Sequence, residues 1–167
     1  MGTLDESRQM DYKRLLATLT RDEGKRNEVY KDSVGIDTIG VGHNLETGEL
    51  PPEMRTELAT TGELSDASVN RLLRDDVEVA LKEVSAMFSE CWDDLSGLRK
   101  EVLVNMMFNM GYGTLAKFRN MIAAVHEGDY LRAGDEMLDS RWARQVGNRS
   151  RRLVQAMRTD DPAALKV

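Results

Sequence analysis

Only one stretch of this chain has strand periodicity, and that restricts its fold more than any other feature. Between Gly24 and Asn44, Ile36, Thr38, Ile39 and Val41 alternate with or adjoin Gly35, Gly40 and Gly42, the pattern of a short strand that other backbone approaches closely. Before it, Tyr12, Leu15, Leu16 and Leu19 recur at i, i+3, i+4 and i+7, which predicts an amphipathic helix stopped by Gly24. After it, the spacing is helical almost to the end. The implied fold class is α+β, mainly α: a small β-hairpin or meander lobe and a larger helical lobe.

The helical part can be divided from its punctuation. Ser65 is the expected N-cap of a bridging helix through about Met87, and Ser96 that of a helix through Met110 closed by Gly111 and Gly113. Further helices are expected at Phe118–Val125, Asp129–Leu138 and Asn148–Met157, while Thr47-Gly48 and Pro51-Pro52 read as turns. The domain reading is a polar N-terminal arm over residues 1–11, then a single domain over 12–160. Within that domain the first helix and β lobe run to about 64, the bridging helix covers about 65–87 and the helical lobe about 88–160.

Composition excludes several classes. An apolar fraction of 41% and a charged fraction of 31% over 167 residues describe a globular chain with a sizeable core, rich in methionine (10 residues). No apolar run approaches the roughly 18–20 residues that cross a bilayer, so no membrane insertion is expected. The polar start lacks signal-peptide character, so synthesis in a cytoplasm is expected. One cysteine, Cys91, allows no internal disulfide, and two distant histidines with one cysteine give no metal-ligand spacing. Neither metal nor cofactor is expected. Net charge is −6, yet Arg141 to Arg158 holds six arginines and no acid. That segment reads either as solvated helix faces or as an anion-facing patch; without interleaved aromatics or a basic domain it does not read as a nucleic-acid site.

Chemistry concentrates in residues 22–44. Acid-catalysed cleavage of a glycosidic bond needs one carboxyl to protonate the leaving oxygen and a second to activate water or attack. Glu23, at the inward end of a helix, suits the acid, because burial favours the neutral carboxyl; Asp32, in a polar turn, suits the base, and Thr38 could hold the water between them. From the residues alone Asp22, Glu28 and Asp37 compete for these roles. Elsewhere, Asp76 interrupts the apolar stripe of Val69, Leu72, Leu73, Ala80, Val84 and Met87. A charge there requires a partner. His43 is the expected one, the alternative being an Asp76 that points outward at a lobe edge.

The run Glu23-Gly24-x5-Tyr30-Lys31-Asp32-x2-Gly35-x2-Thr38-Ile39-Gly40-x-Gly42-His43 closely resembles the catalytic segment of bacteriophage-type lysozymes, virus-encoded muramidases. The resemblance continues through Asp75-Asp76-Val77, Asn105-Met106-x-Phe108-x-Met110-Gly111, Phe118, Ser140-Arg141-Trp142 and Asn148-Arg149-x2-Arg152, in order from about Tyr12 to Arg158. It implies a lysozyme-like fold with a cleft between the lobes and hydrolysis of the bond between N-acetylmuramic acid and N-acetylglucosamine with inversion. It further implies Glu23 as general acid, Asp32 and Thr38 around the water, an Arg149–Glu23 pair, a structural His43–Asp76 pair, and Phe108 lining the cleft. Asn105 and Asn109 could bond glycan hydroxyls or satisfy groups inside the protein, and Trp142 reads as a core anchor.

The expected partner is a peptidoglycan strand. The protein is expected to act on the wall as a monomer, free or carried within a larger virion protein, for lysis or wall penetration. A lytic transglycosylase and a non-catalytic wall-binding module are the alternatives. Two features depart from the family pattern: the acidic net charge, and Asp37 where an aromatic is common.

Overall fold

The computed structural model describes residues 6–166. Part of the expected N-terminal arm, residues 1–5, lies outside them. The chain divides into two compact units, one formed by Leu16–Val79 and the other by the residues up to Leu15 together with those from Ala80 onward.

The Leu16–Val79 unit holds all the strand structure among the described residues. Helix α1 (Tyr12–Glu23) enters it and stops at Gly24, whose φ of 77° suits the chain reversal. Strands β1 (Arg26–Lys31), β2 (Asp37–Gly40) and β3 (His43–Asn44) form an antiparallel sheet in the order β1-β2-β3, pairing Tyr30 with Thr38 and Ile39 with His43. The strand pattern expected through Val41 ends at Gly40, because Val41 and Gly42 make the turn into β3.

Pro51-Pro52, read above as a turn, instead opens helix α2 (Pro52–Thr61). Proline is favoured at a first helical position, where its missing N–H costs nothing. Gly62 closes the helix with φ 80°. Ser65 caps helix α3 (Asp66–Met87), its hydroxyl accepting from the Ser68 amide at 3.1 Å. The core comprises Leu19, Ile39, Val41, Leu50, Met54, Leu64, Val69, Leu72 and Val77, all buried. Gly40 lets the sheet approach α3: a Cβ there would stand 3.6 Å from Val69 Cγ1 and 3.7 Å from Leu72 Cδ2.

The other unit is built around helix α4 (Gly97–Leu115), capped by Ser96, with Leu98 and every residue from Glu101 to Met107 buried. A helix apolar on nearly all sides belongs at a centre. Its helical backbone breaks after Met110, where Gly111 takes φ 78° and ψ 168°, and a further short helical stretch runs on to Leu115. Around it lie α5 (Arg119–His126), α6 (Tyr130–Leu138), α7 (Arg141–Val146) and α8 (Asn148–Thr159). The expected list lacked α7, a helix of six residues capped by Ser140. Met106, Met107, Met121, Met137 and Met157 fill this core.

Residues 9–14 pack against this unit's central helix. Asp11 N–H donates to Glu101 Oε2 at 3.2 Å, and Arg14 clamps both Glu101 oxygens at 2.8 and 2.6 Å. A Cβ on Gly97 would fall 1.8 Å from the Gln9 carbonyl oxygen, so only glycine admits the chain there.

Candidate active site

Within the Leu16–Val79 unit, three short segments converge. The first is the end of α1. Glu23 is half-buried, and its carboxyl group lies against the bare Cα of Gly42: a Cβ at position 42 would stand 3.0 Å from both Glu23 Cδ and Oε2. Gly42 also has φ 66°, so both its backbone and its missing side chain are needed.

The second is the β1–β2 connection. Asp32 Oδ1 accepts hydrogen bonds from the amides of Val34 and Ile36, each at 2.9 Å. The Asp32 amide in turn donates to the Ile36 carbonyl at 3.0 Å. Aspartate suits this place because its short carboxylate can hold a turn's amides. Thr38, buried on β2, donates its hydroxyl proton to the same Ile36 carbonyl at 2.9 Å. One residue's peptide groups therefore fix both side chains. The consequence is chemical as well as geometric. Thr38 Oγ1, its proton committed, can only accept from a further partner. Asp32 Oδ2 receives no hydrogen bond from any described residue.

The third is β3 against α3. His43, only 7% exposed, lies with Nδ1 2.7 Å from Asp76 Oδ2 and Nε2 2.7 Å from the Gly48 carbonyl oxygen. Both partners are acceptors, so both ring nitrogens donate, which defines an imidazolium. Burial lowers the His43 pKa, but the Asp76 hydrogen bond and charge and the Gly48 carbonyl outweigh it, and the net shift is upward. Asp76 thus faces His43 rather than pointing away at an edge.

Two further side chains belong to this surface. Tyr30, opposite Thr38, carries the Arg26 guanidinium 4.9 Å above its ring. Burial and the charges of Glu23 and Asp32 push the phenol's pKa up, against Arg26. Sequence reading gave no role to Arg26, Tyr30, Ile36 or Gly42. On a regular strand Arg26 and Tyr30 would stand about 13 Å apart; the irregular register between them lets the two meet, and the sequence carries no signal for it. Asp37 forms an ion pair with Lys31 at 2.7 Å across the strands, which offsets its charge.

The remaining candidates belong to the other unit. Asn105 is buried and its Oδ1 accepts from Arg149 Nε at 3.1 Å and Nη2 at 2.8 Å. Asn109 Oδ1 accepts from Trp142 Nε1 at 2.7 Å. Both amide oxygens therefore have protein partners. Phe108 is half-buried in α4. Trp142 is buried edge-on to Phe118, ring centroids 6.3 Å apart. His126 Nδ1 donates to the Ile122 carbonyl at 2.8 Å and the ring stacks on Phe88. Cys91 is buried, and that burial raises its thiol pKa. Among the described residues no helix is long and apolar enough to cross a membrane.

Comparison with known proteins agrees with this arrangement. The family model described as phage lysozyme matches residues 20–159. Probable T4-type lysozyme 2 of Dictyostelium discoideum is 29% identical over 155 residues, 84% of this chain and 91% of that protein. The endolysin of Salmonella phage P22 is 28% identical over 124 residues, 74% of this chain and 77% of that protein. The pre-baseplate central spike protein Gp5 of Enterobacteria phage T4 is 28% identical over 158 residues, 84% of this chain but 27% of that longer protein. A mainly helical chain with a small antiparallel sheet, matched over most of its length by that model, belongs to the phage lysozyme family and is a lysozyme-type enzyme.

Proposed function

We propose that this enzyme hydrolyses the β-1,4 bond between N-acetylmuramic acid and N-acetylglucosamine in peptidoglycan, with inversion at the anomeric carbon. Glu23 donates its proton to the glycosidic oxygen as the carbon–oxygen bond breaks. A water held by Asp32 Oδ2 and Thr38 Oγ1 attacks from the opposite face, and Asp32 takes its proton. The coupling of Asp32 and Thr38 through Ile36 carries this reading. Both are acceptors toward the incoming water. A water donating to two acceptors turns its lone pairs away from them, toward the carbon it must attack.

His43 and Asp76 act at a remove. Their pair fixes β3, whose preceding turn carries Gly42, on which the Glu23 carboxyl rests. We assign Asn105 and Asn109 to holding Arg149 and Trp142, and leave Phe108 as the helical unit's candidate for contact with sugar rings. The substrate places the enzyme's work at the bacterial wall, in lysis or in wall penetration.

The test is the anomeric form of the first product, read by NMR during digestion of purified peptidoglycan. The α-anomer at the new reducing end is expected. A β-anomer would mean retention, and 1,6-anhydro ends would mean that the muramic sugar's own hydroxyl, not water, attacks.

A further inference from the structure

A groove of about 570 Å³ lies between α1 and α3, lined wholly by residues of the Leu16–Val79 unit. Its size falls within the range of small-ligand sites. Leu16, Ala17 and Leu73 supply an aliphatic lining, Arg21 and Arg74 two guanidinium groups, and Asn70 an amide. The roles proposed above use none of them.

The charge arrangement is selective. Lys25 is paired with Asp66 at 2.9 Å, Lys31 with Asp37 at 2.7 Å and Arg71 with Glu53 at 2.6 Å. Arg74, by contrast, has no acidic partner among the described residues. Guanidinium groups bind carboxylates through planar, two-pronged hydrogen bonding. A chain of net charge −6 repels an extended polyanion, so a small anion suits the groove better. No aromatic residue lines it, so it offers no stacking platform for a sugar ring or a base.

We propose that this groove binds the free carboxyl terminus of a short peptide with small aliphatic side chains. The carboxylate lies on the Arg74 guanidinium, the side chains lie on Leu16, Ala17 and Leu73, and Asn70 meets the peptide backbone. Resting on the reading of the enzyme as a wall hydrolase, the source is the peptide borne by wall glycans, which ends in alanine. The groove is then a second wall contact, separate from Glu23, Asp32 and Thr38.

The test is an NMR titration of isotope-labelled enzyme with N-acetyl-D-alanyl-D-alanine and with its C-terminal amide. Saturable shifts confined to α1 and α3 residues around the groove are expected. Affinity falls at least about tenfold for the amide, and likewise in Arg74→Gln. Equal affinity for acid and amide, shifts mapping elsewhere, or no saturable shift overturns the proposal. The same preparation is assayed on purified peptidoglycan. Turnover there without dipeptide binding sinks the groove alone; dipeptide binding without turnover sinks the glycosidase reading and leaves the groove standing.

Discussion

The two units hold their polar side chains in different ways. In the sheet-bearing unit the anchors are mainly backbone: Asp32 binds the amides of Val34 and Ile36, Thr38 binds the Ile36 carbonyl, and His43 binds the Gly48 carbonyl. In the helical unit they are side chains distant in sequence: Glu101 with Arg14, Asn105 with Arg149, Asn109 with Trp142. A helix consumes its own backbone groups, so its buried polar side chains must find other side chains. A turn has backbone groups to spare. Backbone anchors tolerate side-chain change around them, whereas paired side chains fail together.

The sharpest test of this contrast is Glu23→Gln. Removing the proton donor should lower turnover by about 10³-fold while the melting temperature stays near wild type. A variant that keeps clearing peptidoglycan would remove the sheet unit from the chemistry. Next comes Glu101→Gln in the helical unit. It breaks the buried clamp on Arg14 and should cost about 3 kcal/mol in urea unfolding, with activity retained below the transition.

Gly42→Ala probes position without removing a reactive group. Crowding the Glu23 carboxyl by a few tenths of an ångström, at a position whose φ of 66° also disfavours a side chain, should cost about tenfold in activity, with a smaller loss of stability. Normal activity in that variant would mean that Glu23 is not positioned by the turn.

His43 gives a pH signature. Its folded pKa is raised above the ordinary 6.5. Its contribution to stability is therefore complete below the unfolded value and is lost as pH rises through the folded one. Melting temperature should decline across that window in wild type and lose this decline in Asp76→Asn. NMR titration of the ring checks the cause: an unchanged His43 titration in Asp76→Asn would sink the pairing. The smallest effect belongs to Lys31→Ala, an exposed pair across two strands, whose stability should match wild type within error.

Legibility in the sequence followed the same division. Ser65 and Ser96 could be read as caps because capping is a contact within three residues. The Asp76 interruption could be read because a charge on an apolar stripe demands an explanation. Glu101 gives the same kind of signal on a more completely apolar helix, and only the fold reveals that Arg14 answers it. Asn105–Arg149 spans 44 positions, and nothing local selects that partner. Pro51-Pro52 misled because proline can end a turn or start a helix, and neighbouring packing decides. The roles proposed for Glu23, Asp32 and Thr38 could be argued from residue chemistry, and the motif selected these three over Asp22, Glu28 and Asp37; which atoms of Asp32 and Thr38 are left to accept a further hydrogen bond required the structure.

Ile36 fastens two side chains at its two ends. Its N–H holds the Asp32 carboxylate and its C=O holds both the Asp32 amide and the Thr38 hydroxyl, so these groups are attached to successive peptide planes that meet at one Cα. Only the two backbone dihedrals of Ile36 lie between those planes. A disturbance elsewhere in the turn therefore reaches both side chains together, and their relative placement changes chiefly by rotation at that one residue.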